Sequence, residues 1–161
     1  VTLLVNDDVE AAAVARREGL PVAGVHVGQD DVPVARARTL LGDGAVVGLS
    51  VSDDHDVAAV TRDAARDPRA RPDYLGLSPV RATPTKPDAA PALGEDGARR
   101  LAGATALPCV GIGGLGPGDC GWMRTAGLSG IAVVTAVLHA EDPETATRRL
   151  VSAWQNAEVR E

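Results

Sequence analysis

The stretch "VAGVHVGQDDVP" (residues 22–33) decides how the rest of the chain is read. Its first six residues form a short apolar run, the pattern of a strand covered on both faces rather than one. The run gives way to Gly28, Gln29, Asp30 and Asp31, and Asp31 stands two residues before Pro33, a helix-opening sequence. An apolar strand followed at once by a helix start is one βα unit of a parallel sheet.

The pattern recurs along the whole chain. Apolar runs at "VTLLV" (1–5), "AVVGLS" (45–50), "YLGLS" (74–78), "LPCVGIGG" (107–114) and "GIAVVTAV" (130–137) are expected to be strands as well. Helical patterns fall between and after them, at about 8–18, 33–41, 53–66, 95–104, 117–126 and 142–157. The Asp53, Asp54 and Asp56 cluster and Asp142 before Pro143 mark two further helix starts. Six βα units result. A closed parallel barrel needs eight, and a sheet left open at one side exposes a strand edge. The chain opens directly in a strand at Val1 and its one methionine is Met123. These features lead to the expectation of a single (β/α)8 TIM-barrel domain over 1–161, of which this sequence supplies the last six units and two upstream units are missing. A doubly wound open sheet of six strands is the competing architecture.

Composition narrows the function. With 45% hydrophobic and 24% charged residues over 161 positions, the chain can bury a core and is not disordered. Phe is absent and aromatics are 2%, so the core must come from Val, Leu, Ile and Ala, and base-stacking platforms are lacking. A net charge of −6 without a basic stripe argues against a nucleic-acid partner. No apolar run reaches membrane-spanning length and no leader pattern is visible, so a cytoplasmic chain without a membrane partner is expected. Cys109 reads as a core thiol and Cys120 lies near a helix start; two cysteines alone make no metal site.

In either architecture the chemistry gathers at the carboxyl ends of the strands. These ends carry Asn6-Asp7-Asp8, then Asp30-Asp31, then Ser50, then the Thr83/Thr85/Lys86 loop, then "GIGG", then Val134-Thr135. Carboxylates on adjacent strands suit Mg²⁺, while hydroxyls, one ammonium and glycine amides suit phosphate oxygens. Taken singly, Asp7, Asp31 and the acids at 53, 54 and 56 also read as helix caps, and the last three are assigned as caps. Lys86 is the only lysine among sixteen basic residues, set between threonines and prolines in "TPTKP". Its plain reading is a solvated loop lysine, its sharper one a point charge for phosphate. "GIGGLG" (111–116) matches the dinucleotide fingerprint literally, but it falls in a late unit with no acid at the end of the next strand; a phosphate on its amides is the better reading.

Together, "LLVNDDVE", "GVHVGQDDVP", "VVGLS", "DYLGLSPVRATPTKPDA", "CVGIGGL" and "GIAVVTAV" resemble, in order and over the whole chain, the thiamine-phosphate synthase family. The resemblance implies a transferase that joins 4-amino-5-hydroxymethyl-2-methylpyrimidine diphosphate to 4-methyl-5-(2-hydroxyethyl)thiazole phosphate. It implies Mg²⁺ on Asp7 and Asp31; Asn6, Ser50 and Lys86 on the diphosphate; and Thr83, Thr85, Gly114, Val134 and Thr135 around the thiazole phosphate. Catalysis by Lys86 and Ser50 would be dissociative, through charge stabilisation and positioning. His26, read as a packed histidine, His55 and His139 receive no role. The family barrel begins with two units before the "ND" strand, including a Gln-Leu-Arg segment with no counterpart here. Ser78 replaces a usual glycine, Arg81-Ala82 an aromatic-proline pair, and Thr135 a serine. Ser52 stands where many relatives have histidine, which separates the chain from a sister family of thiazole tautomerases that use that histidine. A non-catalytic phosphate-binding barrel remnant is the alternative from another class. Whether subunits form a homo-oligomer stays open.

Overall fold

Alternating strands and helices emerge where expected, with boundaries set by caps the sequence only partly announces. The structure is a computed structural model and describes residues 1–82 and 90–157. Its strands are β1 (Leu3–Asn6), β2 (Val22–Val27), β3 (Val46–Val51), β4 (Tyr74–Leu77), β5 (Cys109–Ile112) and β6 (Gly130–Ala132). Its helices are α1 (Val9–Arg17), α2 (Val34–Leu41), α3 (Asp54–Arg66), α4 (Gly94–Gly103), α5 (Cys120–Thr125), α6 (Thr135–Leu138) and α7 (Pro143–Gln155). The strands follow chain order in the sheet, β1 through β6, and the β1–β2, β2–β3 and β5–β6 pairs are parallel. This is an α/β fold built on a six-stranded parallel sheet. The chain divides into two compact units, Val1–Leu75 and Gly76–Glu161.

In the first unit the register aligns Val5, Val25 and Val47 in one row and Asn6, His26 and Gly48 in the next. Successive residues of a strand point to opposite faces, so these rows look opposite ways. Val25, Val27 and Val47 are buried against Val9, Ala12 and Ala13 of α1 and Val34, Ala37 and Leu41 of α2. Each such valine contributes about 1.5–3 kcal/mol on burial. The other face carries Asn6, His26, Gly48 and Ser50, so these strands are not apolar on both faces as expected. Glycine kept the sequence pattern from showing the difference.

Two helix starts depart from the reading. Asp8, not Asp7, caps α1 by accepting from the Ala11 amide at 2.8 Å. Helix α2 has Pro33 at its N-cap and no side-chain cap, while Asp31 turns back and accepts from the Gly28 amide at 2.7 Å. Asp53 does cap α3 through the Asp56 amide at 2.9 Å, as assigned.

The second unit packs Leu101, Cys109, Cys120, Met123 and Leu150 into a core. Asp142 caps α7, accepting from the Thr145 amide at 3.0 Å and the Thr145 hydroxyl at 2.6 Å. The run "GIAVVTAV" is corrected: β6 ends at Ala132, and Thr135 opens α6 instead of closing a strand. The Val134 carbonyl accepts from the Val137 and Leu138 amides, so the chain coils where the apolar run continues. An apolar run without periodicity does not distinguish strand from helix. Residues 117–126 likewise split into a 3₁₀ turn, Pro117–Asp119, and α5. No helix among the described residues is long and apolar enough to cross a membrane.

Both cysteines are free and buried. Burial pushes the Cys109 thiol up to about 11 and raises that of Cys120 as well. Neither is a ready thiolate. A disulfide reagent at pH 8 is expected to titrate no thiol in the native protein within minutes and two after denaturation; one fast native thiol would contradict the burial.

Candidate functional site

The first unit brings polar groups together at the carboxyl ends of β1, β2 and β3. Ser50 lies near the end of β3, half-buried, with its Oγ 2.9 Å from His26 Nε2. His26 Nδ1 is 2.8 Å from the Tyr74 hydroxyl, and the two rings stack with centroids 5.4 Å apart. Desolvation by burial raises the Tyr74 phenol further above neutrality, so it stays protonated as a hydrogen-bond partner. Gln29 donates from Nε2 to the Ser50 carbonyl at 2.7 Å. Ser50 is thus held on both its side chain and its backbone.

Asn6 is the exposed last residue of β1. Asp7 follows with φ 63, the one non-glycine residue with positive φ among those described. Its amide donates to the His26 carbonyl at 2.8 Å, which ties this unusual turn to β2. Asp31 is exposed after β2, and its Oδ2 is used by the Gly28 amide. Asp7 and Asp31 therefore follow neighbouring strands, and neither caps a helix. Asp53, His55 and Asp56 have ligand atoms within 4.8 Å of one another. Asp53 accepts from the Asp56 amide, and Asp56 from the Ser52 amide and hydroxyl at 2.8 and 3.0 Å, so both acids serve the start of α3.

The second unit sets the glycine loop against the chain after β4. Gly113 (φ 99) and Gly114 (φ 64) adopt conformations that side chains rarely take. A Cβ on Gly113 would lie 2.9 Å from Pro79 Cβ, and one on Gly114 would lie 2.9 Å from Arg81 Cβ. The contact is fastened by Val80 N–H to the Ile112 carbonyl at 2.8 Å and Arg81 N–H to the Gly113 carbonyl at 3.1 Å. Val134 is 51% exposed, and Thr135 is exposed at the start of α6. Thr83, Thr85 and Lys86 lie outside the described residues.

Arg81, which stands in place of an aromatic residue, pairs with Asp119. Its Nη2 and Nε reach Asp119 Oδ1 at 2.5 and 3.2 Å. The same oxygen accepts from Trp122 Nε1 at 3.1 Å, and Oδ2 accepts from the Gly116 amide at 3.0 Å. Burial opposes the Asp119 charge, but the bonds from Arg81, Trp122 and Gly116 with the Arg81 charge hold its carboxyl below the usual range. Sequence reading missed Asp119, Gln29, Tyr74 and the His26 contacts. Only the two-residue step from Gly48 to Ser50, aligned with His26, hinted that they share a face.

Parallel strands with carboxylates and a hydroxyl at their carboxyl ends in the first unit, and a glycine loop after a strand in the second, define an α/β protein of the class that carries its chemistry at the carboxyl ends of its strands. The chain belongs to the family described as thiamine monophosphate synthase, whose model matches residues 1–137. It is 48% identical over 147 residues to a thiamine-phosphate synthase of Laribacter hongkongensis, covering 91% of this chain and 64% of that protein. A thiamine-phosphate synthase of Corynebacterium efficiens is 40% identical over 152 residues, covering 94% of this chain and 68% of that one. The solved thiamine phosphate pyrophosphorylase from Pyrococcus furiosus superposes with TM-score 0.77 at 26% identity, covering 98% of this chain and 69% of that one. The chain spans about two thirds of the length of these relatives.

Proposed function

We propose that the protein is a thiamine-phosphate synthase, transferring the hydroxymethylpyrimidine group from its diphosphate to the nitrogen of hydroxyethylthiazole phosphate. The observation that carries this reading is that Asp7 and Asp31, on neighbouring strand ends, are both withheld from helix capping and both exposed. Two hard oxygen donors of this kind fit Mg²⁺, which when bound would neutralise the leaving diphosphate. Asn6, Ser50 and Lys86 would hold the diphosphate oxygens, with the Ser50 hydroxyl oriented by His26. Gly114, Val134, Thr135, Thr83 and Thr85 would hold the thiazole phosphate. The bond between the pyrimidine methylene and the diphosphate oxygen breaks, the electron pair leaving with diphosphate, and the thiazole nitrogen then bonds to the methylene. No side chain needs to move a proton in that step. Charge stabilisation and positioning are the protein's part, in keeping with a site built of carboxylates, hydroxyls and amides.

The six strands are read as part of a (β/α)8 barrel. The place of β1 at one end of the strand order and the greater length of the relatives support it. Against a tautomerase role, the Ser52 amide and hydroxyl both serve Asp56, so that position supplies no acid or base.

The test is formation of thiamine phosphate from the two half-molecules across a Mg²⁺ titration, on protein whose intact mass fixes the length of chain assayed. Absence of product at saturating Mg²⁺ would reject the reading. Asp31→Asn keeps an acceptor for the Gly28 amide and is expected to raise the Mg²⁺ concentration for half-maximal rate by roughly tenfold with an unchanged melting temperature. An unchanged titration removes Asp31 from the metal.

A further inference from the structure

We propose that Asp119 is a positioning residue that fixes the glycine loop for the thiazole phosphate, an inference that rests on the synthase reading above. Three parts of the second unit converge on its carboxylate: Arg81 from the chain after β4, the Gly116 amide at the end of the glycine loop, and Trp122 from α5. Asp119 is buried, which shields its bonds to Gly116 and Trp122, while the Arg81 side chain reaches it from the exposed side. The Arg99 guanidinium lies over the Trp122 ring, 5.7 Å from its centroid, and pairs with Glu95 at 2.6 Å.

What the arrangement holds is the backbone of Gly113 and Gly114. The Gly113 carbonyl is fixed by the Arg81 amide, while neither the Gly113 nor the Gly114 N–H donates a hydrogen bond within the described residues. Two consecutive amides without an acceptor among the described residues leave backbone donors that an anion can take up. Asp119 clamps that stretch at both ends, at Gly116 directly and at Gly113 through Arg81. The Arg81 charge is consequently spent on Asp119 and does not serve as the phosphate ligand. Both oxygens of Asp119 are in use, so asparagine, with a single oxygen, cannot replace it: either Gly116 or the Arg81–Trp122 pair loses its acceptor.

The experiment has two readouts on full-chain protein. Inorganic phosphate is titrated against the amide resonances of Gly113 and Gly114, and KM is measured separately for the two substrates. Wild type should show phosphate-dependent shifts at both amides. Asp119→Asn should weaken phosphate binding and raise KM for the thiazole phosphate by roughly tenfold, with KM for the pyrimidine diphosphate within about twofold. Arg81→Lys, which keeps the charge but loses the fork, should fall between, with its melting temperature close to wild type. Equal effects on both KM values, or an unchanged phosphate affinity in Asp119→Asn, would overturn the positioning role. No shift in wild-type protein that does form thiamine phosphate would overturn it too, by removing the glycine amides as the anion site; absence of product in wild type would instead strike the synthase reading.

Discussion

Replacing Asp7 by alanine or by glycine is expected to lower turnover by at least about a hundredfold, yet the glycine variant should be the more stable of the two by about 0.5–1 kcal/mol. The activity loss follows from removing a proposed metal ligand; the stability order follows from the backbone. Asp7 sits at φ 63, where a Cβ costs roughly 1–2 kcal/mol, and aspartate tolerates it better than most residues because its short side chain bonds locally. Both variants lose the carboxylate and whatever it contacts, so those losses cancel in the comparison. Alanine retains the Cβ penalty. Glycine escapes it at the expense of about 0.5–1 kcal/mol of extra unfolded-state freedom. Denaturation midpoints at equal m-value read the difference, and steady-state rates across Mg²⁺ read the loss. An alanine variant within tenfold of wild type would remove Asp7 from the metal, and a glycine variant no more stable than alanine would deny the strain. A conformation costly to the fold at a residue this exposed is the pattern of a position kept for function.

How much of this was legible depended on sequence distance. The βα rhythm was readable because strand and helix each occupy contiguous residues, and Asp53 and Asp142 cap the helices they precede for the same reason. Asp7 and Asp8 differ by one residue, and composition gives no means of saying which caps α1; the choice is made by the turn that pins the Asp7 amide to His26 of β2. Asp31 marks the helix start in the sequence but does not cap it, because Pro33 stands at the N-cap with no side-chain bond and the acid closes its own loop. The end of β6 was misread because Val133 and Val134 continue an apolar run that the backbone leaves. The least legible contacts were those joining distant positions: His26 meets Ser50 and Tyr74 across 24 and 48 residues, and Arg81 meets Asp119 across 38. Only the parallel register, which sets Asn6, His26 and Gly48 side by side, makes such meetings predictable.

That register yields the second large expected effect, Gly48→Ala, at about 2–4 kcal/mol of destabilisation with a fall in turnover of tenfold or more. A Cβ on Gly48 would lie 2.2 Å from Tyr74 Cζ and 2.4 Å from its hydroxyl oxygen. Tyr74 starts β4 and is half-buried, so its ring must swing away instead of flexing at a free tip. In leaving, it gives up the 2.8 Å contact with His26 Nδ1 and the ring stack. His26 then loses its Nδ1 partner and its stacking ring, which loosens the Nε2 partner of the Ser50 hydroxyl. Tyr74→Phe separates the two losses, since it keeps the ring and the clash-free packing but drops the hydroxyl, and should cost only about 1 kcal/mol. Tyr74→Ala in the Gly48→Ala background removes the obstructing ring, so the double variant should be more stable than the sum of the single costs by 1 kcal/mol or more. Additive costs within about 0.5 kcal/mol would mean that Gly48 makes room for something other than Tyr74. With coupling present and turnover still impaired, the missing side chain at position 48 is what lets a tyrosine on β4 set the histidine that aims Ser50.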